Sequence, residues 1–117
     1  MNDNIEELPV RDLDDALRAV GGNADLAREL FGTFLRGLEP QLQEIRQNHR
    51  SAQWETLKEN AHRIHGGAAY CGVPALKAAL KALEKAAAAG EPVEIAHRME
   101  ALELETERLF AVAETQG

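Results

Sequence analysis

At 117 residues, 44% hydrophobic and 28% charged, the chain has the make-up of one folded domain with its own core, not of a disordered tail. A net charge of −7, with three Phe, one Trp and one Tyr and no basic run, argues against nucleic acid as a partner. No apolar run approaches the roughly 18–20 residues of a membrane span, so membrane contact by this domain is not expected. The charge is uneven: residues 1–53 carry 6 basic and 10 acidic side chains, residues 91–117 carry 2 and 7, and residues 54–90 carry 5 and 3. The middle stretch is the one basic segment of an acidic protein.

The opening MNDNIEELPV is acidic and lacks the basic start and apolar core of a signal peptide. Asp3, Asn4 and the last few residues read as unstructured. A short amphipathic helix follows, with Asp12 as N-cap and Leu13, Ala16, Leu17 and Val20 at helical spacing. Gly21-Gly22-Asn23 stops it. A second helix starts near Asn23 with Leu26, Leu30, Phe31, Phe34 and Leu38 on one face, and Pro40 kinks or divides it. Its pattern resumes at Leu42 and Ile45 and fades near His49.

Ser51 is the expected cap of a third helix anchored by Trp54. Its stripe runs Trp54, Leu57, Ala61, Ile64, Ala68 and Cys71, and Gly72 is the expected stop. Val73-Pro74 opens a fourth helix, which buries Leu76, Leu80, Leu83 and Ala87 and ends at Gly90. Pro92 opens the last, with Ile95, Met99, Leu102, Thr106, Leu109 and Ala113 as its stripe and Phe110 beside it. No strand pattern is present. The expected fold is all-α: an antiparallel up-down-up-down four-helix bundle with a short extra N-terminal helix as a lid on one end. The lone cysteine, Cys71, excludes an internal disulfide and points to a reducing, cytoplasmic setting.

The chemistry concentrates in AHRIHGGAAYCGVPALKAALKALE, residues 61–84. At about 100° per residue, with Leu57 at zero, the third helix's stripe centres near 10°. His62 then falls near ~140°, facing solvent, His65 near ~80°, on the shoulder, and Gly66 near ~180°. Each glycine in a helix interior costs roughly 1 kcal/mol relative to alanine. Tight helix packing would put such glycines on the buried side, whereas Gly66 lies outward, beside His62. That placement clears an approach to the imidazole.

A neutral imidazole is a good nucleophile. A serine or cysteine hydrolase is not encoded: Ser51, the single serine, sits in a turn more than two helical turns before His62, and Cys71 lies on the apolar stripe. Nor is there a Gly-rich phosphate loop after a strand, so ATP binding is not encoded. What remains is a histidine that accepts a group from another protein's active site and returns it. Glu59-x-x-His62 and Glu94-x-x-His97 resemble half of a di-iron signature, but both pairs point away from their stripes, whereas such ligands project into a bundle core. No metal ligands are assigned on this reading, and His49 and His97 are ordinary surface histidines.

These residues resemble the signature of histidine-containing phosphotransfer (HPt) domains, A-H-x-[LI]-K-G-[SAG] followed by a small-residue stretch and a later Leu-Glu. LPVRDLDDALRAVGGNADLARELFGTFL also looks like the family's first two helices. The variant His-x-[LI]-His-Gly followed by Tyr-x-Gly-Val-Pro is similar to the HPt domains that end GacS/BarA-type hybrid sensor kinases. The resemblance implies a single HPt domain over residues 1–117, its core at about 10–114, with His62 phosphorylated. His65 stands where lysine is usual, Gly66 is the close-approach glycine, Gly67 the small residue, and Glu84 the polar residue across from the histidine. A histidine at position 65 can donate a hydrogen bond but is not reliably cationic at neutral pH.

The implied role is a phosphorelay carrier taking a phosphoryl group from a receiver-domain aspartate and passing it to a response-regulator aspartate. The receiver of a hybrid kinase and a response regulator are then the partners. Mg²⁺ belongs to the receiver, no cofactor is bound by this domain, and a monomer suits a shuttle. Kinase activity would lie in a parent hybrid histidine kinase. Lys58, Arg63, Lys77 and Lys81 are candidate docking contacts. The alternative is a non-phosphorylated helical adaptor that docks receivers, with a metal-binding bundle behind it.

Overall fold

The computed structural model describes residues 5–116, with side chains to residue 114. Asp3, Asn4 and the terminal Gly117 lie outside the described residues; the residues just before Gly117, expected to be unstructured, instead continue α5 to Gln116. A single 3₁₀ turn, Ile5–Glu7, precedes five helices: α1 (Leu13–Ala19), α2 (Ala24–Arg50), α3 (Trp54–Ala68), α4 (Pro74–Ala89) and α5 (Pro92–Gln116). No strand occurs among the described residues.

The helices form where the sequence supplies caps and an apolar stripe. Asp12 accepts from the Asp15 N–H and Asn23 from the Leu26 N–H, each satisfying a first-turn donor. Pro74 sits in the first turn of α4, and Gly90 ends that helix in the left-handed conformation. One core joins α2 to α5: Leu38, Leu42 and Ile45; Leu57, Ala61, Ile64 and Ala68; Leu76, Leu80 and Leu83; Ile95, Met99, Leu102 and Leu109. Full burial of each large aliphatic side chain is worth about 1.5–3 kcal/mol, so this interior sets the stability of the molecule.

Three local expectations need correction. Pro40 does not divide its helix; α2 runs unbroken for 27 residues. Proline removes one hydrogen bond, but here it faces solvent, while Leu38, Leu42 and Ile45 are buried on either side of it and hold both halves on the core. Ser51 is not the cap of α3. It is the C-cap of α2, and Ala52, at φ 54°, turns the chain before Gln53 takes the N-cap position without a side-chain bond. The third helix ends at Ala68 and not at Gly72. Ala69, Tyr70 and Cys71 donate to the carbonyls of Gly66, Gly67 and Ala68 three residues back, a tightening that winds the helix down before Gly72 turns at φ 63°.

On the outer half of α2, Leu26 is exposed, so the stripe expected there starts at Ala27. Toward its other end, α2 is tied to α5 by Arg46, whose Nε and Nη2 donate to the Glu103 carboxylate at 2.7 and 2.8 Å and whose Nη1 donates to Glu39 at 2.9 Å. The Arg46 bonds hold the Glu103 carboxyl below its usual range, with burial opposing. Its folded value is depressed, so the stabilisation is complete above the unfolded carboxyl range near 4.5 and is lost as pH falls through the folded value. Glu103→Gln is expected to lower unfolding free energy by about 0.5–1 kcal/mol at pH 7, a figure discounted for solvent screening. Urea titrations of both proteins at pH 7 and again below pH 4.5 should show the gap closing on the acid side.

Candidate functional site

His62, His65, Gly66 and Gly67 occupy the last two turns of α3, and Glu84 projects from the middle of α4. Leu57, Ala61, Ile64 and Ala68 are buried to 2% or less and fix the rotation of α3. That rotation leaves the His62 side chain 73% exposed and the His65 side chain 21% exposed. Leu80 and Leu83, fully buried on α4, bring the Glu84 carboxylate alongside the same two turns.

Glu84 Oε1 lies 2.9 Å from His62 Nδ1, within hydrogen-bond distance. A carboxylate only accepts, so the bond selects the tautomer with the proton on Nδ1 and leaves the Nε2 lone pair free. Glu84 Oε2 lies 3.7 Å from His65 Nδ1, too far for a hydrogen bond, and finds no other donor in its buried position. The two imidazole rings stand 6.3 Å apart and tilted. Burial pushes the His65 imidazole below its ordinary value; Glu84 opposes this, while Lys77, His62 and Lys81 add to it. His65 is therefore a neutral neighbour and not a substitute for a cation at neutral pH.

The two glycines differ. A Cβ on Gly66 would meet nothing within 4 Å, whereas one on Gly67 would lie 3.5 Å from the Phe34 ring. Gly66 thus leaves open space on the outer face beside His62, whereas a methyl on Gly67 would only make ordinary contact with the Phe34 ring. Lys77 and Lys81 line a shallow depression with His65 and Asp15, adjoining the site. Lys58 and Arg63 contact neighbours on their own helix: Lys58 pairs with Glu55 at 3.3 Å, and Arg63 donates to Asn60 Oδ1 at 3.0 Å. Asn60 in turn donates to Asn48 at 2.8 Å, a buried polar link between α3 and α2. Of the di-iron pairs, Glu59 and His97 are exposed and Glu94 is engaged by Arg98 at 2.6 Å.

Residues that the stripe pattern did not single out also shape the site. The Arg11 guanidinium donates to the Cys71 carbonyl at 2.6 Å and lies over the Phe31 ring at 3.8 Å from its centroid. Asp12 N–H donates to the Gly72 carbonyl at 2.8 Å, and Ala75 N–H to the Pro9 carbonyl at 3.1 Å. The segment before α1 and the start of α1 therefore lie across the α3–α4 connection, and they steady the turn that sets Glu84 against His62. Cys71 is buried, and burial pushes its thiol up, which leaves it unreactive.

The Hpt domain family model matches residues 29–112. The chain is 38% identical over 78 residues to the sensor histidine kinase GacS of Pseudomonas protegens, covering 67% of this chain and 8% of that one. It is 36% identical over 75 residues to the sensor protein GacS of Pseudomonas syringae pv. syringae, covering 64% and 8%. The chain thus spans about a twelfth of the length of these relatives. No solved structure matches it. α1 precedes the matched segment.

Proposed function

Because this chain belongs to the Hpt domain family, we propose that it is a phosphorelay carrier in two-component signalling and that His62 is the residue phosphorylated. The observation that carries this reading is the pairing of His62 Nδ1 with Glu84 on an otherwise exposed imidazole. With the proton on Nδ1, Nε2 attacks the phosphorus of a receiver's aspartyl phosphate. An N–P bond forms, the acyl P–O bond breaks, and the aspartate leaves as a carboxylate. The imidazole becomes an imidazolium retaining its Nδ1 proton, and Glu84 stabilises that charge. Return to a response-regulator aspartate reverses the steps. The receiver contributes Mg²⁺ and most of the stabilisation of the transferring group; the carrier contributes an accessible nucleophile and a docking face.

In this reading residues 1–117 are a single HPt domain with its core at about 10–114, and α2 to α5 run up-down-up-down with α1 as the lid. Lys77 and Lys81, beside His65, are the docking cations with free reach toward an acidic receiver pocket, and Lys58 and Arg63 contribute only on leaving their partners. The carrier is monomeric and cytoplasmic, holds no resident cofactor, and depends on a kinase elsewhere for its phosphoryl group. No helix among the described residues is long and apolar enough to cross a membrane.

Incubation with a panel of phosphorylated receivers tests the proposal. The chain should acquire an acid-labile, alkali-stable label from at least one receiver and lose it to a second. Receiver binding without label from any of them would instead make the chain an adaptor.

Gly66 offers a sharper test, because its two effects have opposite signs. Gly66→Ala should raise unfolding free energy by about 0.5–1 kcal/mol, since the added methyl meets open space and helix propensity improves. Gly66→Val should slow transfer by at least about tenfold by crowding the approach to His62, an amount of about 1.4 kcal/mol in the barrier. Equal transfer rates for wild type and Gly66→Val would remove the close-approach role.

A further inference from the structure

We propose that His62, His65 and Glu84 form a binding site for a divalent transition-metal ion of the Zn²⁺ type, and that occupying it switches off the His62 nucleophile. One ligand atom from each of the three residues lies within 4.8 Å of the others. His62 and His65 are three apart on α3 and so share a face, and Glu84 reaches them from α4. Ligand atoms 2.0–2.2 Å from a tetrahedral Zn²⁺ stand roughly 3.3–3.6 Å from one another. The two carboxylate oxygens lie 2.9 Å (Oε1) from His62 Nδ1 and 3.7 Å (Oε2) from His65 Nδ1, and with every separation within 4.8 Å the three side chains close on one ion by drawing in about an ångström or less.

The donor chemistry fits the same ion. Two imidazoles and one carboxylate make a set that Zn²⁺ accepts with water in a fourth, open position, and the exposure of His62 leaves that side free. Glu84 Oε2 is buried with no hydrogen-bond donor, a standing cost that a metal ion between the rings would remove. Lys77 and Lys81 border the site and reduce its affinity without occupying it.

The consequence for transfer rests on the carrier reading. A neutral imidazole holds one proton, which the bond to Glu84 keeps on His62 Nδ1. A metal ion that takes the Nδ1 lone pair sends that proton to Nε2 through solvent, with no net change in protonation. Nε2 then has an N–H where its lone pair was and cannot attack phosphorus. A metal bound through Nε2 would block the same atom directly.

The test uses the chain without a polyhistidine tag. Titration calorimetry with Zn²⁺ should show about one equivalent bound, and Co²⁺ should give the intense visible absorption of a tetrahedral site. His65→Lys and Glu84→Gln should each weaken binding by at least about tenfold, whereas His97→Ala, which removes another exposed imidazole, should not. Circular dichroism of each variant separates loss of ligand from loss of fold. Transfer from a phosphorylated receiver is then measured with and without Zn²⁺ for each protein, and the ratio is read within that protein. Wild type should fall at least about tenfold on adding Zn²⁺, and His65→Lys should not.

Binding that is absent, or equal in wild type and both site variants, overturns the site. Binding without any effect on wild-type transfer overturns the switch. If metal binds as described but no label is ever taken up in its absence, the carrier reading fails and the site stands.

Discussion

His62→Gln is expected to lower phosphoryl acceptance by roughly a thousandfold or more while leaving the unfolding midpoint almost unchanged. The imidazole is 73% exposed and touches the rest of the molecule chiefly through Glu84, so its removal opens no cavity. Glutamine keeps the size and one polar group but has no nucleophilic nitrogen. No other histidine is placed to replace it. His65 is half-buried, with its Nδ1 3.7 Å from Glu84, and His49 sits beside the Trp54 ring with centroids 6.1 Å apart. His97, on α5, adjoins Glu94. His65→Ala should therefore reduce transfer while leaving the label on His62. Retention of a full acid-labile label by His62→Gln, seen in a receiver-donor assay, would show that the nucleophile lies elsewhere.

That prediction draws on features the sequence made legible to different degrees. The all-helical class and the exposed position of His62 were readable because heptad-like stripes of Leu, Ile and Ala fix each helix's rotation. Helix ends were less readable. A left-handed Ala52 sets the α2–α3 break, and no propensity marks alanine for that conformation. Pro40 reads as a kink or a break because periodicity cannot weigh one lost hydrogen bond against three buried side chains beside it. Glu105, 1% exposed and held by Arg108 at 2.8 Å, is a buried carboxylate beside the α5 stripe and was not foreseeable from spacing.

The site divides in the same way. Glu84's place opposite His62 entered only through the resemblance, since no single-helix pattern relates residues 22 apart. The His62–His65–Glu84 triangle was invisible for the same reason: local motif reading found Glu-x-x-His pairs within helices, whereas this cluster takes its third member from the next helix. Arg11 carried no signal because an arginine in a polar loop reads as solvated. Only the fold shows that it clamps the Cys71 carbonyl.

Gly72→Ala is expected to be the most destabilising conservative change at a glycine, costing about 3 kcal/mol and lowering the melting temperature by roughly 10 °C. Two effects combine. Gly72 has φ 63°, where a Cβ costs about 1–2 kcal/mol. Its added methyl would also collide with the Asp12 carbonyl oxygen and press on Ala16 Cβ at 2.9 Å. Both neighbours belong to the backbone or root of α1, so they cannot rotate away; α1 itself must lift. Gly90 supplies the comparison, because it has φ 68° but its nearest neighbour is Trp54 Cδ1 at 4.0 Å. Gly90→Ala should cost about 1–2 kcal/mol from backbone strain alone.

The excess at Gly72, about 1–2 kcal/mol, then measures how firmly α1 is seated against the α3–α4 turn. Lifting α1 also releases the Asp12 and Arg11 bonds to that turn, so amide exchange in α1 should accelerate before global unfolding. Equal losses at Gly72 and Gly90 in urea titrations would mean that α1 is held too loosely to position the turn. In that case the orientation of Glu84 toward His62 is set by α3 and α4 alone.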